Sequence, residues 1–130
     1  MLLKLTIAVI FGAILGLERE LRNKPGGVKT NGLVSLASCA FILIIDEIEP
    51  SEKARVITGI IQGVGFIGGG LILKGGNSTK GLTGAAEIWI SAAVGLACAV
   101  GLWRLAISLM LLCLLLLKLT KMYFAKLNNH

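Results

Sequence analysis

Long runs of aliphatic residues, nearly free of charge, restrict the fold of this chain more than any other feature. They bring apolar residues to 55% of the 130 and the mean hydropathy to +0.86, while charged residues make up only 15%. A soluble domain has nearer ~25% charged residues, and a chain this short forms too small a core to hide so many aliphatic side chains from water. The sequence therefore predicts a membrane protein, and one built from helices, because a helix bonds all its own backbone groups in lipid.

Five apolar runs, separated by polar or glycine-containing connections, predict an all-α fold: a single-domain bundle of about five short transmembrane helices. The first run resembles a signal peptide, but charged residues follow it in place of a small-residue cleavage site, so we expect an uncleaved span. Trp103 and Arg104 suit the headgroup level and mark a short joint before the last run. The predicted spans cover residues 2–17, 32–46, 56–73, 82–102 and 105–117.

The net charge of +6 at pH 7 indicates an orientation in the membrane and not a nucleic-acid partner. Only 5% of the residues are aromatic, and no basic helix is visible that would suit a groove, so binding of nucleic acid is not expected. The first connection, the third connection and the tail hold nine of the 13 Lys and Arg residues, whereas the alternate side holds four. Because Lys and Arg concentrate on the cytoplasmic side, we expect an outside N-terminus and a cytoplasmic C-terminus.

Residue patterns for catalysis or cofactor binding are missing from the sequence. Cys39, Cys98 and Cys113 lie in apolar runs without CxxC spacing, and the single histidine is His130, so no zinc set can be assembled. Residues 63–68 formally match GxGxxG, the fingerprint of dinucleotide-binding sites. They lie inside an apolar run and not between a strand and a helix, so we do not expect dinucleotide binding. No nucleophile stands beside a base. We therefore expect a protein without enzymatic activity or cofactor, and the sequence leaves metal binding open.

Glycines four residues apart predict close helix contacts, because a helix face without side chains lets another backbone approach. An alternative for the third span is a backbone distorted at residues 68–70, which would expose carbonyl groups to a cavity. The glycines assigned to helix packing are Gly12, Gly16, Gly59, Gly63 and Gly65.

Two polar side chains inside apolar runs are candidates for an interior site. Burying Gln62 without a partner costs on the order of 2 to 7 kcal/mol, so we expect it to point into the bundle, in an interhelical hydrogen bond or along a ligand path. Glu87 lies five residues inside the fourth span, where an ionisable group favours a functional site. It would pair with Lys80, Lys29 or Arg22, be a protonated carboxyl, or bind a cation or proton. The candidate interior polar site comprises Glu87, Gln62, Thr83, Ser91 and Arg55.

The end of the first span and the turn after it carry ordinary local signals. Glu18 and Arg22 are one helical turn apart, which favours an i,i+4 ion pair. The turn at residues 25–27 then predicts Thr30 or Asn31 as the N-cap of the second span.

Four stretches in order resemble the membrane domain of the MgtC/SapB family. They are residues 16–20, residues 25–31 with 33–34, Arg55 ahead of residues 63–70, and residues 81–83 with 85–86 and 88–89. Each alone is weak, but four in the right order make a specific signal. The motif residues that the resemblance places at the cytoplasmic rim are Glu18, Arg19, Arg22, Lys29 and Asn31.

The resemblance implies a five-span bacterial inner-membrane protein that acts in growth at low magnesium, acid tolerance and survival inside host cells, by modulating other membrane machinery. Many members carry a cytoplasmic domain after the fifth span, whereas this sequence stops there. We therefore expect a short form of the family without that domain. Short glycine-lined spans enclose little by themselves, so we expect a homo-oligomer in the lipid bilayer, with another membrane protein complex as a further partner. The alternative function is an ion (Mg²⁺ or H⁺) or small-solute transporter, whose path Gln62 and Glu87 would line.

Overall fold

The computed structural model describes residues 1–73 and 81–127, and most of these residues are helical. The described residues form no strand, which confirms the all-α fold class. The α-helices are α1 (Leu2–Leu21), α2 (Val28–Ile48), α3 (Lys53–Leu73), α4 (Leu82–Ala99) and α5 (Trp103–Leu127), with a short 3₁₀ helix at Pro50–Glu52 before α3.

Several helices extend past the predicted spans because hydropathy locates the part of a helix that lies in lipid and not its ends. Both α1 and α5 continue beyond the apolar runs into segments rich in Glu, Arg, Lys and Leu, which are good helix formers. The joint before α5 is at residues 100–102, where Gly101 has a φ of 76°, a backbone conformation that favours glycine. The expectation that Trp103 and Arg104 form this joint is therefore wrong, since they begin α5.

Four of the described helices, α2 to α5, are long and apolar enough to cross a membrane. The remaining helix, α1, has 20 residues and a length of about 30 Å, similar to the hydrocarbon thickness, but it carries charge at both ends. Near its start, Lys4 Nζ donates a 2.7 Å hydrogen bond to the Ala99 carbonyl oxygen. This places a cation at the carbonyl end of α4, where the helix dipole favours positive charge.

The central helix is α4, which packs against all four other helices, while α1 and α2 form a closely packed pair. Glycine makes these approaches possible: a Cβ on Gly12 would lie 2.5 Å from the Asn31 carbonyl oxygen. A Cβ on Gly16 or Gly95 would likewise overlap backbone atoms of α2 or of the turn before it. The small residues of α1 and α4 therefore set the distances between α1, α2 and α4.

The glycines of α3 do not have this role within the chain. A Cβ added to Gly59, Gly63 or Gly65 would meet no atom within 4 Å. The predicted close packing of the third span at these glycines is therefore wrong for the single chain. The reason is rotational: α3 buries Ile60 and Val64, which are one turn apart, so the adjacent positions 59 and 63 are exposed along an open groove between α2 and α3.

Candidate functional site: a buried polar centre

Four buried polar side chains from three helices meet at one end of the bundle. Their exposed fractions are 6% for Arg19 on α1, 0% for Asn31 on α2, and 3% and 0% for Glu87 and Ser91 on α4. Buried polar groups are costly unless they find partners. We call these four residues the polar centre.

Among residues 1–73 and 81–127, one ion pair of the polar centre is found, and it joins the first and fourth helices. Arg19 Nε lies 3.8 Å from Glu87 Oε2, which is an electrostatic contact beyond hydrogen-bond range. Arg19 Nε instead donates a 2.8 Å hydrogen bond to the Pro25 carbonyl oxygen. As a result, Glu87 Oε2 is buried without a hydrogen-bond donor among the described residues.

The partner of Glu87 differs from those expected from the sequence. Lys80 lies outside the described residues, Lys29 is exposed, and Arg22 pairs with Glu18 at 2.8 Å. Arg19 lies on the buried face of α1, one turn after Leu15 and Gly16, so its side chain is directed toward α4.

The path of the Arg19 side chain depends on a glycine in α4. A Cβ on Gly84 would overlap the Arg19 guanidinium group. The missing side chain thus leaves room for the guanidinium between α1 and α4, one turn before Glu87.

Asn31 connects the turn before α2 to α4. Its Nδ2 donates hydrogen bonds to the carbonyl oxygens of Gly26 at 2.7 Å and Gly27 at 3.2 Å, and its Oδ1 accepts one from Ser91 Oγ at 2.6 Å. The N-cap of α2 is Gly27, so the expectation that Thr30 or Asn31 caps this helix is wrong. The amide instead holds the turn and α4 together.

We expect Ser91→Ala to lower the free energy of unfolding by about 1–3 kcal/mol, because Asn31 Oδ1 then loses its buried donor. Thermal or denaturant unfolding in detergent measures the change. Ser108→Ala, on the exposed side of α5, is the matched control and should stay within about 0.5 kcal/mol of the parent. Equal stability of the two variants would contradict the assigned role of the Ser91 hydroxyl.

The other predicted site residues divide into two groups. Thr83, Glu18 and Arg22 line a cavity beside Glu87. In contrast, Gln62 is exposed on α3, so the expectation that it points into the bundle is wrong within this chain. Arg55 is also exposed and pairs with Glu52 at 3.1 Å. The chain therefore does not place Gln62 and Glu87 on one path.

Two contributors near the polar centre were missed by sequence reasoning. Ser35 Oγ donates a 2.7 Å hydrogen bond to the Ala8 carbonyl oxygen, joining α2 to α1. Its spacing of four residues from Asn31 is a signal that could have found it. Glu20 accepts a 3.0 Å hydrogen bond from the Val28 backbone nitrogen at the start of α2. That contact spans the turn and has no clear sequence signature.

Across residues 1–73 and 81–127, no group of three or more His, Cys, Asp or Glu side chains is placed to hold a metal ion. The polar centre offers one carboxylate, one amide and one hydroxyl, with a guanidinium beside them.

The fold and the polar centre define a polytopic helical membrane protein in which a buried ion pair and an amide network join three helices. The chain belongs to the MgtC family, whose family model matches residues 5–125. The resemblance seen in the sequence motifs is thereby confirmed.

The chain is similar to several curated proteins. It is 41% identical over 107 residues to the Synechocystis sp. protein named uncharacterized protein slr0014, covering 82% of this chain and 46% of that protein. It is 36% identical over 114 residues to the protein MgtC of Salmonella typhimurium, covering 86% of this chain and 49% of that protein. It is 36% identical over 119 residues to the protein SrpB of Synechococcus elongatus, covering 80% of this chain and 65% of that protein.

The chain thus spans about half the length of the first two of these relatives. No solved structure matches it significantly.

Proposed function

We propose that this chain is a non-enzymatic protein of the bacterial inner membrane that supports adaptation to magnesium limitation or acid stress by modulating a partner membrane protein. Membership of the MgtC family supports the physiological role. The docking surface that we assign to the partner is the α3 outer face, which comprises Gly59, Gln62, Gly63 and Phe66.

The observation that carries this proposal is an exposed amide in the middle of a membrane-spanning helix. Gln62 lies near the centre of the candidate span Pro50–Ile72, where lipid offers no hydrogen-bond partner. Beside it, the Cβ positions of Gly59 and Gly63 are open. A partner helix could approach closely there and bond the amide, an interaction worth roughly 0.6–2 kcal/mol. We assign this surface to a helix of another membrane protein, and a second copy of the chain is the alternative occupant.

We expect Gln62→Leu and Gly63→Leu to abolish growth at low magnesium or low pH in a strain that depends on this protein, without lowering its amount in the membrane. The reason is loss of docking, since the Gln62 side chain is exposed and a side chain added at Gly63 meets no atom of the chain within 4 Å of its Cβ. Thr6→Leu, which replaces an exposed polar side chain of α1, is the control and should grow like the parent. A Gly63→Cys variant, cross-linked in membranes, distinguishes a second copy from another partner by the mass of the product.

Two results would contradict this proposal. One is normal growth of both α3 variants. The other is magnesium or proton flux into sealed vesicles that contain only the purified chain, abolished by Glu87→Gln, because it would make the protein a transporter.

The charge distribution supports an orientation with the N-terminus outside and the C-terminus in the cytoplasm. Reporter fusions after His130 and in the connection at Glu49 are expected to fall on opposite sides, with the His130 fusion cytoplasmic. Accessibility of both sites from outside would contradict the orientation and the odd number of spans.

A further inference from the structure

Two cavities adjoin the polar centre. The first, of about 900 Å³, is an apolar groove between α3, α4 and α5, with walls that include Gly68, Ile90 and Leu112. The second, of about 500 Å³, lies where the end of α1, the start of α4 and the later turns of α5 meet. Thr83, Glu87, Leu116 and Leu117 line both. We call the first the apolar groove and the second the basic mouth.

The basic mouth carries two positive charges that the described residues do not neutralise. Arg19 is next to Glu87, and Arg22 pairs with Glu18, which accounts for both carboxylates of the mouth. The remaining bases, Lys24 and Lys121, have no carboxylate within ion-pair distance among residues 1–73 and 81–127. An anion would therefore complement this cavity.

A third observation points to a hydrogen-bond donor in the same ligand. Glu87 belongs to the walls of both cavities, and its Oε2 is buried without a donor in the described structure. A ligand group that carries a hydroxyl hydrogen would satisfy this oxygen.

We propose that the groove and the mouth together bind one anionic phospholipid with a hydroxyl-bearing headgroup, of the phosphatidylglycerol kind. An acyl chain occupies the apolar groove, the phosphate contacts Lys24 and Lys121, and a headgroup hydroxyl donates to Glu87 Oε2. This site is separate from the α3 outer face, and so it does not depend on the proposed function.

Other occupants fit fewer of these features. A transmembrane helix would fill the groove but brings no phosphate to the mouth. A small phosphate compound would satisfy the lysines and leave the groove empty. The lipid alone combines the apolar chain, the negative charge and the hydroxyl.

The test is native mass spectrometry of the full chain in detergent, titrated with phosphatidylglycerol, phosphatidylcholine and glycerol 1-phosphate. We expect one phosphatidylglycerol per chain, bound at least roughly tenfold more tightly than phosphatidylcholine, and no binding of glycerol 1-phosphate. The double variant Lys24→Ala/Lys121→Ala should weaken phosphatidylglycerol binding roughly tenfold or more, given the usual attraction of each basic residue to anionic lipid. The control Lys29→Ala/Lys118→Ala removes the same charge from exposed positions outside the mouth and should bind like the parent.

A second variant tests the groove without changing charge. Ala86 is exposed in the groove wall, so Ala86→Trp should fill the space and weaken phosphatidylglycerol binding while leaving the melting temperature unchanged. Equal affinity for the two lipids, equal losses in the two lysine pairs, or undiminished binding by Ala86→Trp would each overturn the proposal. Binding of glycerol 1-phosphate as tight as that of the lipid would reduce the site to a phosphate site and overturn it as well.

Discussion

Arg19→Ala is expected to lower the free energy of unfolding by about 3–5 kcal/mol, because it leaves the Glu87 carboxylate buried without its cation. Both side chains are almost fully buried, and the guanidinium also donates a hydrogen bond to the Pro25 carbonyl oxygen. The loss should appear as a lower unfolding midpoint in detergent and as less protein in the membrane.

Two further variants separate the buried pair from a general effect of charge. Arg22→Ala breaks the partly exposed pair with Glu18 and should cost about 1 kcal/mol or less. The double variant Arg19→Leu/Glu87→Leu removes both buried charges and should recover most of the loss, since an apolar pair of similar volume often replaces a buried ion pair without penalty. If Arg19→Ala were no more harmful than Arg22→Ala, the buried pair would not stabilise the fold.

Gly95→Leu is expected to prevent folding, with a cost above about 4 kcal/mol, because any side chain there overlaps the backbone of α2 at Ser35. Backbone atoms of a packed helix cannot move aside as the end of a flexible side chain can. Size exclusion in detergent should show aggregated protein, or none.

The matched control is Gly63→Leu, which introduces the same side chain where no atom lies within 4 Å. It should run as a folded protein and melt like the parent, even though we expect it to lose function. Recovery of folded Gly95→Leu would show that α2 and α4 can separate without cost.

The number and type of the helices could be predicted because the apolar composition of each run, taken by itself, indicates a helix that contacts lipid. The glycine pattern could not be interpreted in the same way. Gly12 and Gly16 in α1 and Gly59 and Gly63 in α3 have identical spacing, yet only the first pair meets another backbone within the chain. The spacing describes one helix face, whereas the contact depends on which way the whole helix is rotated.

The polar site shows the same division between local and tertiary information. Glu87 is recognisable because a carboxylate inside an apolar run is costly wherever it lies. Its pairing with Arg19 depends on the inward stripe of α1, and that stripe is defined only once α1 packs on α2 and α4. For Gln62, the cost argument predicts a hydrogen-bond partner but cannot say whether that partner belongs to the same chain.

The polar centre also sets an order of events during biosynthesis. Asn31 and Ser91 are 60 residues apart, so the ribosome makes Arg19 and Asn31 long before it makes their partners in α4. Until α4 enters the membrane, the newly inserted α1 and α2 carry a guanidinium and an amide that lack their partners in that helix. Insertion of α4 is thus the step that supplies these partners. A nascent chain halted before it remains an intermediate with unpaired polar groups in the bilayer.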